Sequence, residues 1–178
     1  IATSELQTGT ATNPGTISAA GVKAAVEAHA PVLQVVTTLY TTSTTGTTVI
    51  PYDDTIPQNT EGDEYFTETF TPISATSTLV IDVVLYLASS VGGAMIAALF
   101  VDTTASAVAV GMSTMDGGTA ETYPVVIKYK VASGSTAART YKVRAGPGSA
   151  ATLTINGLSG ARKFGGVLTS SITITEYQ

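Results

Sequence analysis

Short runs of alternating apolar and polar residues, separated by turn-forming residues, dominate the chain from Val32 onward. An alternation with a period of two residues places apolar side chains on one face of a strand. The pattern predicts strands at residues 33–40, 47–50, 65–71, 78–88, 95–102, 107–113, 124–131, 139–145, 151–155 and 168–177. Glycine, proline, aspartate and serine occupy the intervals. Short strands at regular spacing with such turns are typical of a β-sandwich or jelly roll.

The residues before the first strand have a different pattern. Residues 8–17 are rich in threonine, glycine, asparagine and proline, which predicts an extended segment. Ser18 then fits the N-cap of a short helix at residues 19–30. An alanine-rich helix of this length is marginal in water, so we expect it to dock on another surface. We therefore predict a neck segment at residues 1–31 and one all-β domain, a β-sandwich of jelly-roll type, at residues 32–178.

One apolar segment, residues 79–101, is long enough to suggest a transmembrane helix. Asp82 lies inside it, no positively charged flank follows it, and turn-forming residues at 89–93 interrupt its middle. Two buried strands joined by a short loop explain this pattern better, so we expect no membrane insertion.

Composition favours a folded β-structure. The chain has 32 threonines, 44% hydrophobic residues and a mean hydropathy of +0.30, which oppose disorder. Only 12% of residues are charged, too few for a soluble helical bundle. The absence of cysteine excludes a disulfide scaffold and cysteine-ligated zinc. The single histidine, His29, is expected to interact with carbonyl groups at the helix C-terminus, so we predict no cofactor.

The net charge of −5 is divided unevenly along the chain. Between Lys23 and Lys128 there are eleven acidic residues and no basic ones. From Lys128 onward there are seven basic residues and one acidic residue, Glu176. The acidic pI and the lack of a basic run argue against nucleic acid as a partner.

Four basic residues lie on two consecutive predicted strands. Alternation places Lys128 and Lys130 on one face of the first strand, and Lys142 and Arg144 on one face of the second. If the two strands form a hairpin, Lys128 lies near Lys142, and these like charges need an anionic neighbour. That neighbour could be bulk salt, the carboxylates of another protomer or an acidic glycan. Our hypothesis is that the acidic region of one subunit faces the basic hairpin of the next.

The densest acidic segment, residues 53–64, has the length of an EF-hand loop and acids at both ends. Its interior does not match, because Gln58 takes the place of the obligatory glycine. A solvated loop between strands is the simpler interpretation, so we predict no metal site. A looser calcium site remains possible with four carboxylates: Asp53, Asp54, Glu61 and Asp63.

No catalytic constellation stands out. The sequence has no G-x-S-x-G motif to accompany the single histidine. In the glycine-rich run at 157–166, Gly160 and Gly165 have the spacing of a phosphate-binding loop, but Gly166 and Val167 follow in place of its lysine and hydroxyl residue. We therefore expect a connecting loop. Arg162 in this loop is a further candidate for ligand or subunit contact. We therefore predict that the protein is not an enzyme.

Several short motifs resemble tailed-bacteriophage tail-fibre and other virion fibre proteins. The Gly-Thr segment, Ile-Ser step and short helix at 8–26 resemble a tail-fibre neck module, with Ala19 where that family usually has proline. The body resembles C-terminal head domains in three motifs, Ile-Pro-Tyr-Asp-Asp-Thr-Ile-Pro-Gln at 50–58 with Glu-Gly at 61–62, Val-Arg-Ala-Gly at 143–146, and Phe-Gly-Gly at 164–166 with Ser-Ile-Thr-Ile-Thr-Glu at 171–176. The resemblance implies a trimeric virion appendage that ends in a β-sandwich head.

The function that follows from this resemblance is structural and adhesive. We expect the distal domain of a phage tail fibre, a homotrimer on the virion that contacts other virion proteins and binds a host-surface glycan or protein. The loop residues Tyr52, Asp53 and Asp54, and those near Arg162, are candidate contacts. The alternatives are a capsid decoration or fibre-anchoring protein without a receptor role, and a polysaccharide depolymerase.

Overall fold

The computed structural model describes residues 18–29, 31–117 and 121–178, which form one α-helix followed by twelve β-strands. Helix α1 spans Ala19–His29. The strands are β1 Val32–Tyr40, β2 Thr44–Gly46, β3 Asp63–Phe70, β4 Thr78–Ser89, β5 Gly93–Val101, β6 Ala109–Met115, β7 Tyr123–Ala132, β8 Arg139–Pro147, β9 Leu153–Ile155, β10 Gly157–Leu158, β11 Ala161–Arg162 and β12 Ser170–Tyr177. The predicted extended segment 8–17 and Ala30 lie outside the described residues.

The strands form two main antiparallel sheets. The order in the first sheet is β1-β12-β4-β7, and the short strands β9 and β2 continue it beside the end of β4. The order in the second sheet is β3-β8-β5-β6. When the eight long strands are numbered along the chain, these orders become 1-8-3-6 and 2-7-4-5, the arrangement of a jelly roll. The structure thus confirms the predicted all-β sandwich.

The core lies between the two sheets and consists of the side chains on the inner face of each strand, which are every second residue. On β4 every second side chain from Leu79 to Leu87 is buried, and the residues between them are half-buried. Ile127 on β7, Val143 on β8 and Ile174 on β12 are also buried in this interior. Burial of such a side chain is worth about 1.5–3 kcal/mol, so the shared interior is the main source of stability.

The apolar segment 79–101 forms two buried strands, as predicted. The segment contains β4 except for its first residue, the short connection at 90–92 and the whole of β5. Asp82 points to the outer side of β4, where its carboxylate pairs with the Lys128 ammonium at 3.0 Å. Among the described residues, no helix has the length and apolar character to cross a bilayer.

The outer side of β5 is also buried, because the chain covers it with a second layer. Ile96 and Phe100 face outward from β5 and pack with Ile50 in a cluster separate from the main core. The covering segment, residues 47–62 between β2 and β3, lies very close to β8, since a Cβ atom on Gly146 would lie 2.3 Å from the Thr48 carbonyl oxygen. Only glycine therefore allows this approach.

The predicted strand at residues 47–50 is wrong. The strand in this region, β2, ends at Gly46, and the next residues form the covering segment instead. Thr48 donates its backbone N–H and its hydroxyl to the Asp63 carboxylate at 3.0 Å and 2.7 Å. These bonds and the burial of the Ile50 side chain hold the segment in place without strand pairing.

The predicted basic hairpin is also wrong. Strand β7 pairs with β4 in the first sheet, whereas β8 lies between β3 and β5 in the second sheet. The connection at 133–138 crosses from the first sheet to the second, as connections between successive strands do in a jelly roll. Lys128 and Lys142 therefore point outward from opposite sheets. The two lysines therefore do not form a like-charge pair that would need an anionic neighbour. The hypothesis that an acidic region of another subunit faces this hairpin loses its basis.

Helix α1 begins as predicted. The Ser18 side-chain oxygen accepts a hydrogen bond from the Gly21 backbone N–H at 3.0 Å, which is the geometry of an N-cap. Val22 and Val26 lie one turn apart and are 45% and 63% exposed. In the single chain these two side chains are therefore available for contact with another surface.

Candidate functional site

A polar cleft of about 280 Å³ lies on the outer face of the second sheet, and we call it the outer cleft. Residues of β3, β5 and β8 line it, and the turn that follows β5 borders it. Its polar lining residues are Asn59, Glu64, Asp102, Thr103, Thr104, Lys142 and Arg144. Two of the predicted contact residues, Lys142 and Arg144, thus face one cleft.

Strand β8 places these two side chains by simple alternation. Tyr141 and Val143 are buried between the sheets, whereas Lys142 and Arg144 are only partly buried and point outward. Because the neighbouring strands β3 and β5 cover both edges of β8, its backbone is fixed by hydrogen bonds on both sides. The two side chains therefore extend from a rigid support.

Arg144 binds the covering segment through hydrogen bonds. Its Nε donates to the Glu61 carbonyl oxygen at 2.8 Å, and its Nη2 donates to the Gly62 carbonyl oxygen at 2.6 Å. Its Nη1 lies 3.4 Å from the Glu64 carboxylate, and only 18% of the side chain is exposed. All three guanidinium nitrogens thus contact oxygen atoms of the same chain, which makes Arg144 a structural residue of the cleft wall.

Lys142 differs from its neighbour because its ammonium group forms no ion pair or hydrogen bond within the described residues. It lies beside Phe100 on β5 and Thr67 on β3 in the strand register. An ammonium group offers three donors. Lys142 is therefore the free cation of the outer cleft.

Asp102 borders the cleft in a constrained backbone conformation. Its φ angle is 55°, in the left-handed region, which aspartate tolerates better than most residues. Its N–H donates to the Thr140 carbonyl oxygen at 2.7 Å, and its Oδ1 accepts from the Thr140 N–H at 2.8 Å. One carboxylate oxygen is therefore used to fix the residue, and the other is left to accept further hydrogen bonds.

The turn beside Asp102 is tied to the loop that carries Asn59. The Thr104 hydroxyl donates to the Val101 carbonyl oxygen at 2.7 Å. The Asn59 side-chain amide donates to the Thr104 carbonyl oxygen at 3.2 Å, and its backbone N–H donates to the Ala105 carbonyl oxygen at 2.7 Å. The side-chain oxygen of Asn59 stays available as an acceptor.

The other predicted contact residues lie elsewhere. Lys128 and Lys130 are exposed on the outer face of the first sheet, where Lys128 is paired with Asp82. Arg162 is exposed on β11, with its side chain against the backbone of Gly166. The five predicted contact residues therefore do not form one site, and only Lys142 and Arg144 come together.

Three of the four candidate calcium ligands accept hydrogen bonds from separate partners, and Asp54 is exposed. Asp63 accepts both bonds from Thr48, and Glu61 accepts the Gln58 N–H at 2.9 Å. Asp53 accepts the Thr55 hydroxyl and N–H at 2.6 Å and 2.9 Å, and these bonds lower the pKa of Asp53. Within residues 18–29, 31–117 and 121–178, no three histidine or acidic side chains converge into a group that could hold a metal ion.

Of the remaining sequence candidates, Tyr52 and Asp53 line a separate cavity of about 220 Å³. Tyr52, 69% exposed, and the neighbouring Asp53 and Asp54 lie on the surface of the covering segment, outside the outer cleft. The side chain of His29 lies outside what the structure describes. Alternation alone predicts the outward direction of Lys142, but Asn59 and Asp102 reach the cleft only through the tertiary fold.

No protein-family model matches the sequence, and no curated protein is significantly similar to it. The resemblance of its short motifs to tail-fibre proteins therefore stays a prediction.

Proposed function

We propose that this chain is the receptor-binding head of a virion appendage and that the outer cleft binds a host-surface glycan. The observation that carries the proposal is a rigid polar cleft with unused donors and acceptors on a jelly roll. Jelly rolls occur in many viral capsid and lectin domains. Since a fold can serve many functions, the cleft and not the fold identifies the ligand class.

The groups in the outer cleft match the chemistry of a sugar ring. Sugar hydroxyls both donate and accept hydrogen bonds. The Lys142 ammonium supplies donors, and the free carboxylate oxygen of Asp102 and the amide oxygen of Asn59 supply acceptors. Because the main chain around Asp102 and Asn59 is already hydrogen-bonded, little ordering is required when the ligand binds.

A single cleft of this size binds weakly, so the proposal includes a homo-oligomer, a trimer, in which several heads act together. Linked sites gain affinity because each further binding event is intramolecular. The exposed Val22 and Val26 of α1, in the neck that precedes the head, provide an apolar face for contact between copies.

The first experiment combines light scattering in solution with adsorption to host cells. The expected mass is three times the 18.1 kDa of the chain, with saturable cell binding that soluble host glycans inhibit. A monomer that does not bind cells at any concentration contradicts the proposal. Binding to purified capsids or tail tubes without binding to cells would assign the protein to capsid decoration or fibre anchoring. Loss of polysaccharide viscosity during incubation would assign it to depolymerisation.

A further inference from the structure

A second cleft, of about 380 Å³, opens at the end of the sandwich and borders the outer cleft. We call it the end cleft. Inward-facing residues of β7 and β8 form its base, and the connections at 102–108 and 133–138 form its sides. The lining residues used below are Asp102, Thr104, Tyr129, Val131, Arg139 and Tyr141.

The two clefts are separated by one turn, since Asp102 and Thr104 line both of them. The hydrogen bonds between Asp102 and Thr140 fix this turn to the beginning of β8. A chain-like ligand that fills both clefts would therefore pass over the free carboxylate oxygen of Asp102, which can accept a hydrogen bond from a hydroxyl group of the ligand.

The end cleft offers a different surface from the outer cleft. Tyr129 and Val131 are half-buried and present an aromatic ring and an apolar wall, which suit the less polar face of a sugar ring. The Tyr141 hydroxyl is buried at the base, and it has no hydrogen-bond partner within the described residues. Burial raises the pKa of Tyr141, so its hydroxyl stays a neutral donor.

The charges of the two clefts favour an anionic ligand. Glu64 is neutralised by Arg144 in the outer cleft. Lys142 in the outer cleft and Arg139 in the end cleft form no ion pair within the described part of the chain. Two unpaired cations therefore border the single remaining carboxylate, Asp102, in a protein whose net charge is −5. This local excess of positive charge favours an acidic group of the ligand beside either cation.

We propose that the two clefts together bind an acidic oligosaccharide of at least two units, with one unit in each cleft and the Asp102–Thr104 turn beneath the linkage. Lys142 and Arg139 each contact an acidic substituent, and Tyr129 supports the ring in the end cleft. This inference rests on the proposed function and names the ligand class of the same surface.

The test is calorimetric titration with a panel of neutral and acidic oligosaccharides of one to four units, including uronic, sialic and sulfated sugars. The expected result is a preference for acidic sugars, with affinity that rises from one unit to two and falls as salt is added. Arg139→Gln is expected to lose roughly tenfold or more in affinity for the longer ligands and little for the monosaccharide. Lys142→Ala should weaken binding at every length.

Lys130→Ala is the control, because Lys130 is an exposed lysine on the outer face of the opposite sheet and forms no ion pair among the described residues. Oligosaccharide binding that Arg139→Gln leaves unchanged at all lengths overturns the two-cleft inference while the proposed function stands. Equal affinity for neutral and acidic ligands overturns the acidic class. Absence of binding to every sugar overturns the proposed function together with the inference.

Discussion

Glu176 is the one acidic residue that follows Lys128 in the sequence, and its carboxylate is buried on β12. It accepts the N–H groups of Ile73 and Ser74 at 2.9 Å, the Ser77 hydroxyl at 2.6 Å and the Gln34 side-chain amide at 2.7 Å. None of these partners carries a charge. The carboxylate therefore fastens the connection between β3 and β4 to the first sheet through hydrogen bonds alone.

We expect Glu176→Gln to lower the free energy of unfolding by about 2–3 kcal/mol, since hydrogen bonds to a charged group are lost. The new side-chain NH₂ group would also face backbone donors and leave them without an acceptor. Chemical denaturation measures the loss. Asp54→Asn, which removes an exposed carboxylate, should shift stability by less than about 0.5 kcal/mol. Equal unfolding midpoints for both variants would show that the buried network contributes nothing.

The stability contributed by Glu176 depends on pH. Burial acts to raise the pKa of Glu176, but hydrogen bonds from Ile73, Ser77, Gln34 and Ser74 outweigh it and hold the pKa below its ordinary value. The contribution is complete above the unfolded-state pKa of about 4.3 and is lost as the pH falls through the lower folded-state value. The stability difference between wild type and Glu176→Gln should therefore shrink between pH 6 and the acid range. A constant difference would contradict this explanation.

At the scale of the element, β8 carries two outward basic residues with opposite roles. Arg144 ties down the covering segment through the carbonyl groups of Glu61 and Gly62, whereas Lys142 has no partner within the described residues. The same strand thus separates a residue that stabilises the cleft from one that is free to bind ligand.

Arg144→Ala is expected to cost about 2 kcal/mol of stability and to speed amide hydrogen exchange at Gly62, whose N–H bonds to Val49. Lys142→Ala should change stability by less than about 0.5 kcal/mol, because a solvated lysine is removed. Thermal unfolding combined with hydrogen exchange distinguishes the two variants. If both destabilise the fold equally, the division of roles along β8 is wrong.

Alternation along the chain predicts which side chains of a strand share a face, because that property is local. It correctly placed Lys142 and Arg144 on the same face of β8. Strand pairing is not local. Two consecutive strands most simply form a hairpin, but the jelly roll sends β7 and β8 to opposite sheets, and only the complete set of partners decides this.

At the scale of the whole molecule, the uneven distribution of charge along the sequence is partly compensated inside one chain. Asp82 and Glu64, from the acidic part, pair with Lys128 and Arg144, from the basic part. The two clefts could not be predicted from the sequence, because they too depend on contacts between distant parts of the chain. Asn59, Asp102 and Lys142 are far apart along the chain, and no local pattern indicates that they meet.

The measurement that tests the central claim most directly is the affinity of the protein for immobilised host-surface glycans, compared among wild type, Lys142→Ala and Lys130→Ala. The expected result is binding by the wild type, a loss of roughly tenfold or more for Lys142→Ala and unchanged affinity for Lys130→Ala. Binding that is absent from all three proteins, or equal in all three, would contradict a receptor-binding role for the outer cleft.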